Sequence, residues 1–509
     1  MRILAVLLLA CACSGGGGGS STPAPSSPAT TATVSGASPF SAACGGSGGN
    51  LYVNAEAEPH VAVDPRDSTH LVGVWQQDRW SSGAARGNVS GVSFDGGASW
   101  TITQPAFSVC EGGEFLRSTD PWVTIGPDGT VHQIAVASTG GVFADGSSNA
   151  VLVARSTDGG RTWGAPTALI RDGPSAFNDK ETITADPNDA RFVYAAWDRI
   201  LPSGGGPATF ARSINGGVSW EPARAIYDPG STEQTIGNLI RVLSDGTVVN
   251  LFAHLIGSDE NLSAAFLEVI RSTDRGATWS APIRVASFFP HGAVDPVTHE
   301  QIRDGAIVPQ MAVAPNGALY VVWQDSRFSS GNHDGIALSR STDGGLTWSV
   351  PARVNSSAGV AAFTPQVHVR ADGTIGITFF DLRSNTSDIA TLLTDYWIAR
   401  STDGVTFTEA RIADSFNINT APIAEGGYFL GDYMGLVSSG TTFLAFYTRT
   451  TGSLTNRTDV FLTRIGAEGA TLKSFVAPAL AAGAEATNLP PASARRFAAT
   501  LAARRAILP

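Results

Sequence analysis

The chain of 509 residues is 43% hydrophobic and only 15% charged, with a net charge of −11. These values exclude a wholly disordered chain, a long charged coiled coil and a basic nucleic-acid binder. Its 57 glycines and 28 prolines point to many tight turns, and because Lys180 and Lys473 are the only lysines, nearly all positive charge is arginine, which grips carboxylates through two parallel hydrogen bonds.

In chain order, Arg2 and the apolar run Ile3–Ala10 read as a signal peptide over residues 1–10, too short to span a bilayer. Leu8-Leu9-Ala10-Cys11 resembles a bacterial lipobox, which implies cleavage before Cys11 and a lipid on its thiol, with an ordinary secretory signal as the alternative. Residues 11–43, rich in Gly, Ser, Pro and Thr, read as a flexible tether. This places the protein outside the cytoplasm, lipid-anchored at a bacterial outer membrane, facing the periplasm or the cell surface, and touching membrane only through that anchor. In such a compartment the two cysteines of the folded part, Cys44 and Cys110, are expected to form a disulfide. With no CxxC after the signal, no thiol-bound metal is expected, and no cofactor either.

From residue 44 to 478 the chain repeats. SFDGGASW starts at Ser93, STDGGRTW at Ser156, SINGGVSW at Ser213, STDRGATW at Ser272 and STDGGLTW at Ser341; a shorter STDGVTF starts at Ser401. The starting serines stand 57–69 residues apart. Each copy suits a hairpin turn: Ser and Asp bond to the turn backbone, Gly supplies left-handed conformations, and Trp opens the next strand. Between copies lie short alternating segments such as Pro59–Asp64, Leu71–Trp75 and Ala150–Ser156. Four antiparallel strands per repeat make a propeller blade. Gly431–Val437, Thr442–Thr448 and Asp459–Ile465 add a unit without the turn motif. Its fourth strand is expected from Leu51–Val53 or Leu472–Val476, giving an all-β propeller of seven blades, or of six. Residues 479–509 read as an Ala-, Pro- and Arg-rich tail.

The S-x-D-x-G-x-[ST]-W repeat resembles the Asp box of the sialidase-like, or BNR-repeat, superfamily. The resemblance implies a propeller and, for activity, several alternatives: a glycosidase of the exo-α-sialidase type acting on acidic sugars of glycans, a non-catalytic glycan- or protein-binding propeller, or a polysaccharide lyase. A carbohydrate ligand, a monomer and no nucleic-acid partner are expected.

Function in a propeller usually sits on the loop-rich face over the axis. The starts of the inner strands bring Glu58, Asp120, Lys180 with Glu181, Asn238, Gln310, Gln366 and Asp432 with Tyr433 to that mouth. The ends of the second strands bring Asp78-Arg79, Asp198-Arg199, Asp325 with Arg327, and Asp381 with Arg383. Converging arginines suit an anionic substrate, although each Asp–Arg pair also suits a salt bridge that staples its own loop. Sialidases hold the substrate carboxylate with an arginine triad and use an Asp acid/base and a Tyr nucleophile paired with a Glu. By resemblance, Tyr433 is the nucleophile, Asp381 or Asp78 the acid/base, and Glu181 or Glu58 the tyrosine's partner. Arg79, Arg199, Arg327 and Arg383, with Asp120, Gln310 and Gln366, are expected to bind substrate. Where the family carries Arg-Ile-Pro in its first inner strand, this chain carries Glu58-Pro59-His60.

Overall fold

The computed structural model describes residues 30–46, 48–257, 262–424, 426–466 and 473–478. Its strands group into successive four-stranded antiparallel sets. The first is Leu51–Asp64, Asp67–Trp80, Ala85–Ser93 and Thr101–Thr103. The next five begin with the inner strands Arg117–Ile125, Phe177–Ala185, Glu233–Val242, Gln310–Val313 and Ala362–Val369. The last begins with Gly435–Ser439. The inner strands of all these sets line one central channel, so the molecule is an all-β propeller. No helix among the described residues is long and apolar enough to cross a membrane.

The repeated turn does what its chemistry demands. In the first copy the Ser93 hydroxyl donates to Asp95 at 2.8 Å and accepts from the Gly97 N–H at 2.7 Å. Asp95 also accepts from the backbone of Ala98 and Ser99. The same bonds recur at Ser156–Asp158–Gly160 and Ser341–Asp343–Gly345. Gly97 has φ +86°, and a Cβ there would overlap the Leu462 side chain; only glycine permits both the turn and the contact with the last set. The box tryptophans are half-buried wedges between neighbouring sets, as where Trp163 donates to the Thr103 hydroxyl at 3.1 Å. The fully buried tryptophans are Trp75, Trp197 and Trp323 of the second strands.

Ring closure differs from expectation. The outer strand of the last set is Thr30–Thr33, paired antiparallel with Thr458–Ile465, Thr30 opposite Arg464 and Thr33 opposite Phe461. Leu51–Val53 instead opens the first inner strand, and Lys473–Val476 adds a fifth strand outside Thr406–Arg411. Part of the segment 11–43 is therefore structural: its threonines satisfy an otherwise open sheet edge. Cys44 and Cys110 form a disulfide, with Cα atoms 5.2 Å apart, that joins the segment after this strand to the connection between the first two sets. Cys11, the signal segment and the tail 479–509 lie outside the described residues.

A small three-stranded sheet lies outside the repeat. Gln301–Arg303 pairs in parallel with Gly427–Phe429, which pairs with Ile423–Ala424. It covers the start of the inner strands: the Glu58 N–H donates to the Leu430 carbonyl at 3.2 Å. A Cβ on Gly305 would overlap the Asp432 carbonyl. This cap therefore sits directly against the axis.

Candidate functional site

At the axis, residues from five separate parts of the chain meet under the cap. Glu58, Asp120 and Lys180 occupy equivalent positions on the first three inner strands, each at an irregularity in strand pairing. All three have left-handed backbones, with φ of 53°, 51° and 52°. A non-glycine residue there costs about 1–3 kcal/mol, and such strain collects where side chains must be aimed. Here it turns them inward.

The Lys180 ammonium lies 3.1 Å from Glu58 Oε1 and 2.8 Å from Asp432 Oδ2, and it also pairs with Asp120. Arg303, from the cap, reaches Asp432 at 3.1 Å. Gln76 donates to Glu58 and, at 2.9 Å, to Thr119, and it accepts from Arg79. Phe429 lies between Arg79 and Arg303, whose guanidinium carbons stand 4.6 and 4.4 Å from its ring centre. Glu58, Asp120, Lys180, Glu181, Asp432 and Tyr433 are all buried.

Burial sets the protonation of this group. It pushes Glu58 up to about 8, with help from the charge of Asp120 and against the pull of Lys180. Burial and Asp120 also raise Glu181 well above the ordinary carboxyl range. Neither oxygen of Glu181 has a hydrogen-bond partner among the described residues. Burial alone would lower Lys180, but Asp120, Asp432 and Glu58 hold it firmly charged. The axis thus holds two carboxyls that keep their protons at neutral pH beside a cation paired with acids.

Tyr433 is next to this group but committed elsewhere. Its hydroxyl donates to the Pro121 carbonyl at 2.9 Å, and its ring meets Trp122 edge-on at 5.1 Å. Burial and the nearby acids raise its hydroxyl, opposing phenolate formation. Asp78 accepts from Ser38 and Asn54 and pairs with Arg86 at 3.2 Å, not with Arg79. Asp381 is held by Arg383 and by the Trp397 indole at 3.0 Å, and burial raises it to about 6. Neither acid hydrogen-bonds to Tyr433, Glu181 or Lys180 among the described residues.

The arginines do not converge. Arg199 bonds Asp172 at 2.9 and 2.7 Å, Arg327 bonds Asp325 at 2.7 Å, and Arg383 is shared by Asp381 and Glu409. Each staples a loop, the blander of the two sequence readings; Arg79 alone of the four reaches the axis. Asp198 is capped by the Gly237 N–H and by Asn238. Gln310 is buried without joining the axial group, and Gln366 donates to the Met434 carbonyl at 2.7 Å, lining the channel below. Sequence reasoning missed Gln76 and Arg303. No local signal marks them: Gln76 bonds Glu58 on the neighbouring strand and Thr119 on the next set, and Arg303 reaches Asp432 from the cap. The starts of the inner strands, as at Glu58, Asp120 and Lys180, are the signal for the inward positions.

Residues 209–424 match the BNR repeat-like domain. The resemblance read from the Asp boxes holds at the level of repeat and fold. Among solved structures, the chain is similar to a protein of unknown function from Dyadobacter fermentans, at 15% identity and a TM-score of 0.45, over 81% of this chain and 96% of that one. A Hadza microbial sialidase aligns at 18% identity and a TM-score of 0.42, over 82% and 66%. A Penicillium chrysogenum α-L-arabinanase complexed with arabinobiose aligns at 13% and 0.42, over 68% and 92%. No curated protein matches the chain.

Proposed function

We propose that the protein is a sialidase-like glycoside hydrolase directed at acidic sugars, with its chemistry in the axial group rather than at Asp78 or Asp381. The observation that carries this reading is Glu181: a buried carboxyl without a hydrogen-bond partner among the described residues, next in the chain to Lys180, whose ammonium pairs with a second carboxyl, Glu58, that keeps its proton at neutral pH. Buried unsatisfied acids and strained backbones are costly, and they gather where groups are poised for proton transfer. Glu58 is the general acid for the leaving oxygen, and Asp120 and Asp432, both paired with Lys180, are the acids that face positive charge at the sugar. Arg79 and Arg303, beside Phe429, are the cations nearest an acidic substituent.

A second reading, a non-catalytic glycan-binding propeller, is favoured by a different observation: Tyr433, Arg199, Arg327 and Arg383 are each committed to structural partners. One experiment separates the two. The full chain is incubated with acidic and neutral glycans, and reducing ends, ultraviolet-absorbing unsaturated sugars and binding are all measured. Hydrolysis that falls about 100-fold or more in Glu58→Gln and Glu181→Gln, but survives Asp381→Asn, supports the first reading. Binding without any product overturns it in favour of the second, and an unsaturated product overturns both in favour of a lyase.

A further inference from the structure

Below the axial group lies a cavity of about 340 Å³ in the central channel. His60, Trp122 and Tyr433 form the layer between the two, His60 stacked on Trp122 at 3.7 Å. The net charge of the chain is −11, yet among the described residues the cavity lining contains no Asp or Glu. Its ionisable side chains there are His60, Arg241 and His368.

Arg241, on the fourth inner strand, donates from Nε to the Met311 carbonyl and from Nη1 to the Ile240 carbonyl, both at 2.9 Å. These partners are neutral, and Nη2 makes no hydrogen bond among the described residues. Burial lowers the guanidinium only to about 10, so it stays cationic. The Val123 N–H donates to Nδ1 of His60 at 3.4 Å, which leaves the proton of the neutral ring on Nε2. His368 bonds the Ser438 hydroxyl through Nε2 at 2.9 Å. Burial and the charge of Arg241 hold both histidines neutral, His368 down to about 4 with Arg370 adding to the effect. The walls between these groups mix apolar side chains, among them Val61, Ile183, Ala312 and Val367, with the neutral polar groups of Thr124, Thr184 and Gln366. A cation without a carboxylate partner among the described residues, set in a cavity lined by neutral groups, is a site for an anion.

We propose that the channel binds a small oxyanion, gripped by Arg241 with His60 and His368 beside it. Carboxylates and inorganic oxyanions share the paired oxygens that a guanidinium fork bonds. The bound charge opposes that of Arg241, so His60 and His368 take up protons on binding, and affinity rises as pH falls. The other charged groups near them are Arg370, and the axial carboxyls beyond the Trp122–Tyr433 layer. This inference is independent of whether the axial group is catalytic.

The test uses the full chain with sulfate and with acetate at fixed ionic strength. Binding is read by calorimetry and by the ring resonances of the histidines. The expected result is a saturable shift of two histidine signals, tighter at pH 6 than at pH 7.5, and weakened at least tenfold in Arg241→Gln. Preference for sulfate identifies an inorganic oxyanion, and preference for acetate a carboxylate. If Arg241→Gln does not fold, the histidine titration of the wild-type chain decides alone. The absence of a saturable shift, a shift without pH dependence, or one unchanged in a folded Arg241→Gln overturns the proposal.

Discussion

The Lys180 ammonium lies 2.8 Å from the Asp432 carboxylate, tying the third inner strand to the turn that leads into the last. With Glu58 and Asp120 on the same ammonium, one lysine joins four sets at the axis. Lys180→Met leaves these acids facing one another without their shared cation. Breaking a buried ion pair from one side costs about 3–5 kcal/mol. We expect a loss of that size in denaturant titration, with Lys180→Arg recovering part of it. A folded Lys180→Met of unchanged stability would show that the acids are not held by this cation.

Glu58 makes stability depend on pH in a defined direction. Its folded value, about 8, stands above its unfolded value near 4.5. The favourable contribution is complete below pH 4.5 and is lost as pH rises toward 8, because only the unfolded chain ionises in that window. Removing the ionisable group by Glu58→Gln removes this trend. The melting temperature of wild type relative to Glu58→Gln should therefore fall between pH 5 and pH 8.5. A constant difference across that range would mean that Glu58 is ionised in the folded protein.

The Asp-box bonds are structural. Ser156 carries the hydroxyl that accepts from the buried Gly160 N–H at 2.8 Å, so Ser156→Ala strands that donor and should cost about 1–3 kcal/mol. Trp163→Ala removes a half-buried wedge between two sets and should cost about 2–4 kcal/mol. Activity or ligand binding per folded molecule should be unchanged in both, as measured after thermal unfolding fixes the folded fraction.

Reduction of Cys44–Cys110 opens a closed segment with a sequence separation of 66. The chain-entropy argument gives a loss of up to about 4 kcal/mol. The first set should loosen before the others, and faster amide exchange in Ala85–Ser93 than in Ile375–Asp381 on reduction would show it. Equal rates in both strands would mean that the clamp is redundant.

By itself, the sequence determined the blade. The bonds that shape the Ser93–Trp100 turn, from Ser93 and Asp95 to Gly97, Ala98 and Ser99, lie within eight residues, so its conformation is largely a local matter that any copy reveals. The two cysteines of the folded part admitted one intramolecular pairing, and the polar starts of the inner strands already pointed to an axial ring that includes Glu58, Asp120, Lys180 and Asp432. Only the tertiary structure decided which charges in that ring meet and which stay in their own loops. In the repeat, Asp78 and Asp381 at second-strand ends and Glu58 at an inner-strand start all point to the same mouth. Their fates differ because Arg86 and Arg383 are within reach of the first two, whereas the left-handed backbone of Glu58 aims it at a lysine two sets away. The closing strand Thr30–Thr33, the cap over the axis and the cation-lined channel at Arg241 follow the same rule. Each is built from contacts between segments far apart in the chain, whose energies depend on burial and on partners that no local pattern encodes.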